Sequence, residues 1–340
     1  MHAGRNFTLK ETLIWTKGNI LKFTIISAIP VILYDTLGFT AIAVPWLPIA
    51  LIGTAVAFLI GFKNNASYDR LWESRKIWGA IVNTSRSWGI MVKDYINSDF
   101  AGEKLPDDQL HKIHKRLIYR HIAWLTALRY QLRTPRNWES VVHNKANRKY
   151  MEKFPAPEIN GSLQDELKIY LSDEECSSIA NKQNAATQII ALQSDDLREL
   201  RRRDLTDDFR HMEMERLLVD FYTHQGKSER IKNYPFPRQY ATINLFFVWL
   251  FILLVPFGML PEFEKLGGNF IWLTIPFSVL VSWVFHTTEK IGEASENPFE
   301  GSANDIPITA LSRTIEIDLR EMLGEQDLPE SIKTTNNILF

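Results

Sequence analysis

The sequence predicts an all-α integral membrane protein: four transmembrane helices and a large helical cytoplasmic region. Three observations predict it. Long stretches lack every charged residue, apolar residues elsewhere recur at helical spacing, and no apolar–polar alternation persists long enough for a strand. Averages hide this pattern. The chain has 340 residues, 45% hydrophobic and 23% charged, with a formal net charge of −1. Its mean hydropathy is −0.15. Those values suit an ordinary soluble domain and exclude a disordered or collagen-like chain. The near-zero net charge removes any global electrostatic case for a nucleic-acid partner. The single cysteine, Cys176, forbids an intrachain disulfide and a Cys-based metal cluster.

Four apolar runs are candidate spans. Phe23 to Val44 is apolar except for Asp35 and carries Pro30. Trp46 to Phe62, Tyr240 to Pro261 and Leu266 to Phe285 contain no Asp, Glu, Lys or Arg. A spanning helix needs about 20 mostly apolar residues. Buried soluble helices usually keep a polar face, and these segments show none. Two buried hairpins in a soluble core are the competing reading, but four such runs are too many for it. The first run starts too late and is too long for a signal peptide.

Orientation comes from the flanks. Arg5, Lys10, Lys17 and Lys22 precede the first span; Lys63, Arg70, Arg75, Lys76, Arg86 and Lys93 follow the second. Arg238 precedes the third and Lys290 follows the fourth, whereas the two short connections are nearly free of Lys and Arg. The positive-inside rule then places both termini and the long middle in the cytoplasm. The expected organisation is residues 1–62 for the N-terminal arm and first two spans, then 63–239 for the cytoplasmic helical region. Residues 240–288 supply the last two spans, and 289–340 a cytoplasmic C-terminal segment.

Within 63–239, helical periodicity runs through 77–92, 113–132, 185–200 and 209–223. Ser172 to Glu175 is a capping-box pattern expected to open a helix holding Cys176 to Leu192, and Thr8 to Glu11 is another. The stretch 133–162, with Pro135, Pro155, Pro157 and Gly161, reads as loops and short helices.

Enzyme signatures are absent: no phosphate-cradling Gly-rich loop and no GxSxG. His111, His114 and His121 are the nearest approach to a metal group; His111 and His114 form an i,i+3 pair on a helix, but no third ligand stands out beside that pair, so they read as solvated or hydrogen-bonded histidines. The charge run Arg198 to Asp208 is neutralised by its own acids and reads as a solvated or subunit-facing face. Thr54, Phe58 and Phe62 recur every four residues on one face of span two, with Gly53 and Gly61 beside them. Periodicity alone favours a lipid-facing or core stripe. The alternative is a pore lining, in which a ring of copies forms a hydrophobic constriction that gates by dewetting.

Four blocks carry a resemblance. They are GFKNNASYDRLWESRKIWGAIVN from Gly61, HIAWLTALRYQLR from His121, GKSERIKNYPFPRQYAT from Gly226, and ENPFEGSANDIPITALSRTIEIDLREMLG from Glu296. In this order they resemble the bestrophin family in its bacterial branch, over nearly the whole chain.

The resemblance implies a homopentameric channel in the bacterial inner membrane, surrounded by lipid, passing small monovalent ions through one central pore and catalysing nothing. The family is best known for chloride and other anion channels, and the sequence does not fix the sign of the ion. Alignment puts the pore neck on Thr54, Phe58 and Phe62, which overturns the periodicity-based preference. Thr54 stands where the family usually has a bulky apolar residue, so the outer ring is expected to be wider or wetter. A lower constriction falls near Phe209 and Met212. Eukaryotic members bind calcium through acidic residues just after Asn-Pro-Phe. Here that place reads Asn297-Pro298-Phe299-Glu300-Gly301-Ser302-Ala303-Asn304-Asp305; most of the acids are missing, with Ser302, Ala303 and Asn304 in the run, so the calcium clasp is degraded and no cofactor is expected. Asp305 and Pro307 are expected to cap the next helix or turn. The alternative function is a membrane-anchored sensor or scaffold.

Overall fold

The computed structural model describes residues 1–99, 101, 104–180 and 182–340. In chain order the helices are α1 (Leu9–Val31), α2 (Trp46–Tyr95), α3 (Asp107–Arg133), α4 (Ser140–His143), α5 (Lys145–Lys153), α6 (Pro157–Asn160) and α7 (Leu163–Leu167). Next come α8 (Asp173–Ile179), α9 (Ala185–Arg202), α10 (Asp208–Asn233), α11 (Arg238–Glu264), α12 (Thr274–Glu293) and α13 (Ile308–Met322). Among the described residues no strand forms; the extended pairings are isolated bridges at His2, Thr335 and Ile338.

Four stretches are long and apolar enough to cross a membrane: Leu9–Thr36, Thr40–Tyr95, Arg238–Glu264 and Gly268–Glu293. The chain divides into two units. One comprises Gly4–Arg70 and Pro235–Asn297, and the other Met1–Ala3, Leu71–Tyr234 and Pro298–Phe340.

The first unit holds the apolar helices. Thr8 opens α1 with a complete capping box: its hydroxyl accepts from Glu11 N–H, and the Glu11 carboxylate accepts from Thr8 N–H. Pro30 lies inside α1, and a π-helical turn, Ile32–Thr36, comes after it. A proline removes one ladder donor, and widening of the next turn is a known accommodation. The helix then stops at Gly38, whose φ of 72° suits glycine. The first span thus lies earlier than the expected 23–44: it ends at Thr36, because the positive-φ glycine and Pro45 break the apolar run that continues in sequence.

Packing in this unit depends on close approach. Phe23, Ile49, Val56, Ile60, Val248, Phe251, Ile252 and Val255 form its main cluster. A Cβ on Gly53 would sit 2.6 Å from Cε2 of Phe251, so α2 and α11 approach more closely than an alanine permits. Large apolar side chains point outward, among them Leu47, Leu51, Phe246, Leu253 and Leu280. Large apolar side chains exposed in such number belong in lipid or against another chain.

The second unit is built around α3, whose residues 120–129 are buried without interruption. Helices α6, α7, α9, α10 and α13 pack against it. The core joins Trp78, Trp88, Leu117, Trp124, Leu128, Leu197, Phe221, Ile315 and Leu319. The stretch 133–162 forms the short helices α4 to α6, as its prolines predict. The helix opened by Ser172 is shorter than expected. Its capping box is intact, but α8 ends at Ile179, and Asn184 caps α9 by accepting from Thr187 N–H. Cys176 and Leu192 therefore lie on different helices.

Several buried charges in this unit are paired. Arg120 bonds Glu175 and Asp196, Arg129 bonds Glu158 and Glu166, and Arg133 bonds Asp305. Lys232 pairs with Glu139.

Candidate functional site

The α2 helix sorts its residues by angle. Gly53, Val56, Ile60, Lys63 and Ser67 are buried against its own unit. Thr54, Phe58 and Phe62 lie on the opposite face, all exposed, with Phe58 at 66% and Phe62 at 69%. The spacing that put them on one face also leaves that face unpartnered within the chain. The Thr54 hydroxyl donates to Ala50 O at 3.0 Å, so its proton is held by the helix backbone. What Thr54 adds to the stripe is a methyl group and an acceptor oxygen.

No charge interrupts this face until Asp69, seven residues beyond Phe62 and also exposed. Lys63 comes directly after Phe62 but turns the other way, its Nζ 2.5 Å from Glu289 Oε1 on α12. The base of the stripe therefore carries no lysine charge. Glu289 could not be read as that partner from sequence, since 226 residues separate the two.

In the second unit, Phe209 lies in the first turn of α10, capped by Asp207, and is 84% exposed. Met212, one turn on, is 55% exposed, and Val219 at 61% continues the same face. This second stripe and the α2 stripe lie in different units.

The remaining candidates separate. His114 Nε2 bonds Ile96 O at 2.7 Å, and His121 Nε2 bonds the Ser85 hydroxyl at 2.9 Å. Burial pushes the His121 imidazole down to about 3, which keeps it neutral. His111 is exposed. Among the described residues no group of three or more His, Cys, Asp or Glu could share a metal ion. The charge run closes on itself: Arg198 pairs with Asp195, Arg201 with Asp204 and Asp208, and Arg202 with Glu199.

Asp305 departs from expectation. It caps no helix; Pro307 occupies the N-cap of α13. The Asp305 carboxylate folds back to accept from Phe299, Gly301 and Ile306 N–H at 2.7, 2.6 and 2.6 Å. The cause is the backbone: Phe299 and Gly301 adopt φ of 76° and 92°, which turns their N–H groups inward. Ser302, Ala303 and Asn304 lie in the same loop, and Ala303 O accepts from His2 N–H.

Outward-facing apolar helices, capped and packed by glycine contacts, define a polytopic helical membrane protein with an uncharged helix face left open. The chain belongs to the bacterial and fungal bestrophin family: the family model described as Bacterial/Fungal Bestrophin protein matches residues 12–321. It is similar to the voltage-dependent anion channel-forming protein YneE of Escherichia coli K12, 28% identical over 84% of this chain and 79% of that one. A second relative, the voltage-dependent anion channel-forming protein RSc3414 of Ralstonia nicotianae, is 30% identical over 85% of this chain and 83% of its own. The fold matches a crystal structure of a bacterial bestrophin homologue from Klebsiella pneumoniae. The TM-score is 0.72 and the identity 25%, over 90% of this chain and 98% of that chain.

Proposed function

We propose that this chain assembles as a homopentamer in the bacterial inner membrane and conducts small monovalent anions through a single central pore. The observation that carries the proposal is the uncharged, unpartnered stripe of Thr54, Phe58 and Phe62 on α2. Copies arranged in a ring would turn this stripe inward as a hydrophobic neck, which gates by dewetting and not by ligand binding. The relatives named as anion channel-forming proteins support the choice of ion. Phe209 and Met212 form the lower constriction in this reading. Residues 63–239 and both termini are cytoplasmic. The channel needs no cofactor, and calcium does not activate it.

A second reading, cation conduction, is favoured by Asp69. It is exposed on the stripe face two turns beyond Phe62, where a ring of carboxylates would attract cations.

Proteoliposomes test both. Wild type passes ions, and Phe58→Ala and Phe62→Ala change the flux. Reversal potentials under asymmetric NaCl and KCl give the sign, and Asp69→Asn shifts them only if cations pass. No flux from wild type and no effect of either Phe variant returns the protein to the sensor or scaffold reading.

A further inference from the structure

Glu300 is the one acid in its neighbourhood without a base. It is 2% exposed. Its Oε1 accepts from the Ser140 hydroxyl at 2.6 Å, and its Oε2 from Ser140 N–H at 3.0 Å. The acids around it are committed elsewhere. Glu139, which precedes α4, pairs with Lys232 of α10. Asp305, in the same loop, pairs with Arg133 of α3 at 2.5 Å. Glu158 of α6 pairs with Arg129 of α3. The Met1 amino group reaches Asp305 and Arg133 with its field. Among the described residues no basic group lies within ion-pair distance of Glu300.

We propose that Glu300 is a proton-binding site built into the 298–306 loop, holding a proton while the loop is closed and opening the loop when the proton leaves.

Three features support it. Glu300 sits between two residues in the left-handed region, Phe299 at φ 76° and Gly301 at φ 92°. For Phe299 that conformation is strained and persists only while its surroundings hold it. An unpaired carboxylate cannot be held in such a place without large cost. Burial, with the fields of Glu139 and Asp305, pushes the carboxyl up to about 8, against the opposing pull of the Ser140 hydrogen bonds. Ser140 accommodates both protonation states but favours the charged one through its hydroxyl and N–H. Asn147 Nδ2 donates to its Oγ at 3.0 Å, and that oxygen can donate to a carboxylate or accept from a carboxylic acid. On titration the Glu300 O–H bond breaks, its electron pair stays on the carboxylate, and the proton goes to water. The charge left behind faces two acids already paired, and hydration becomes available only by opening the loop.

The test uses the full chain in detergent, with infrared titration and amide hydrogen exchange from pH 6 to pH 9. Wild type shows a neutral-acid carbonyl band at pH 7 that disappears as pH passes about 8, and Glu300→Gln lacks it. Exchange at the Phe299, Gly301 and Ile306 amides, compared at equal pH, speeds up in wild type relative to Glu300→Gln by about tenfold per pH unit as pH rises towards that transition and levels off above it. A wild-type spectrum without the band at pH 7, or one matched by Glu300→Gln, overturns the site. Equal exchange in both proteins at pH 9 overturns the coupling to the loop. Ser140→Ala guards against a misfolded Glu300→Gln. It removes a donor that favours the charged form, so the band persists to higher pH, and an unmoved midpoint overturns the assignment to Glu300.

Discussion

Lys63 Nζ lies 2.5 Å from Glu289 Oε1, with the two side chains only 4% and 2% exposed. This pair joins the end of the charge-free run on α2 to α12. Removing one partner leaves the other as an unpaired buried charge. Lys63→Met is expected to lower stability by about 3–5 kcal/mol, while Lys63→Met combined with Glu289→Met recovers most of it. Thermal unfolding in detergent reads both. Equal losses in the single and double variants would show that packing, not charge, matters there.

The two glycines beside the stripe differ in structure. Gly53 faces Phe251 with a Cβ position 2.6 Å from its ring, whereas nothing lies within 4 Å of a Cβ on Gly61. Gly53→Ala therefore costs about 1–3 kcal/mol through overpacking. Gly61→Ala leaves intrachain stability unchanged or raises it by up to about 1 kcal/mol through helix propensity. Denaturant midpoints separate the two.

Acid weakens the α3 unit through Glu158. Burial alone would raise this carboxyl, but Arg129 and Arg133 with the Thr309 hydroxyl outweigh it and hold it below its ordinary 4.5. A depressed acid stabilises the fold above its unfolded value and loses that contribution as pH falls through the folded one. Circular dichroism below about pH 4.5 is expected to show loss of helix. Glu158→Gln starts less stable at neutral pH and has a flatter acid limb.

His121 adds to the same acid sensitivity. Burial holds its imidazole near 3, below the ordinary 6.5. Its neutral form stabilises the fold above pH 6.5, and the contribution declines as pH falls from there towards 3. NMR of labelled histidine is expected to show no titration of His121 between pH 5 and 8. A mid-range titration would mean that the ring is not buried against Phe221, 4.5 Å away between centroids.

The spans were legible because a bilayer permits so few sequences at mid-depth. The Thr8 and Ser172 caps were legible because their partners lie three residues away. The break between α8 and α9 was not, since the apolar spacing continues across it and Asn184 gives no stronger sign than other polar residues. The first span was placed too late because composition cannot see the φ of Gly38. Long-range partners leave no local trace. Arg133 meets Asp305 across 172 residues and Ser140 meets Glu300 across 160. The stripe on α2 was visible from spacing, but its exposure opposite Gly53 and the inward turn of Lys63 required the fold.

The charged pairs around α3 shape how stability depends on temperature. Exposed apolar surface raises the heat capacity of unfolding by about 0.45 cal/K/mol per Å², while exposed polar surface lowers it by about 0.26. Here Arg120, Arg133, Glu139, Glu158, Lys232 and Asp305 are buried in the same unit as Trp124, Leu128 and Phe221. Opening that unit hydrates both kinds of surface together, so the two contributions partly cancel. Its stability curve is accordingly broader and flatter than that of an all-apolar helical core of equal size, losing less on cooling and falling less steeply on warming.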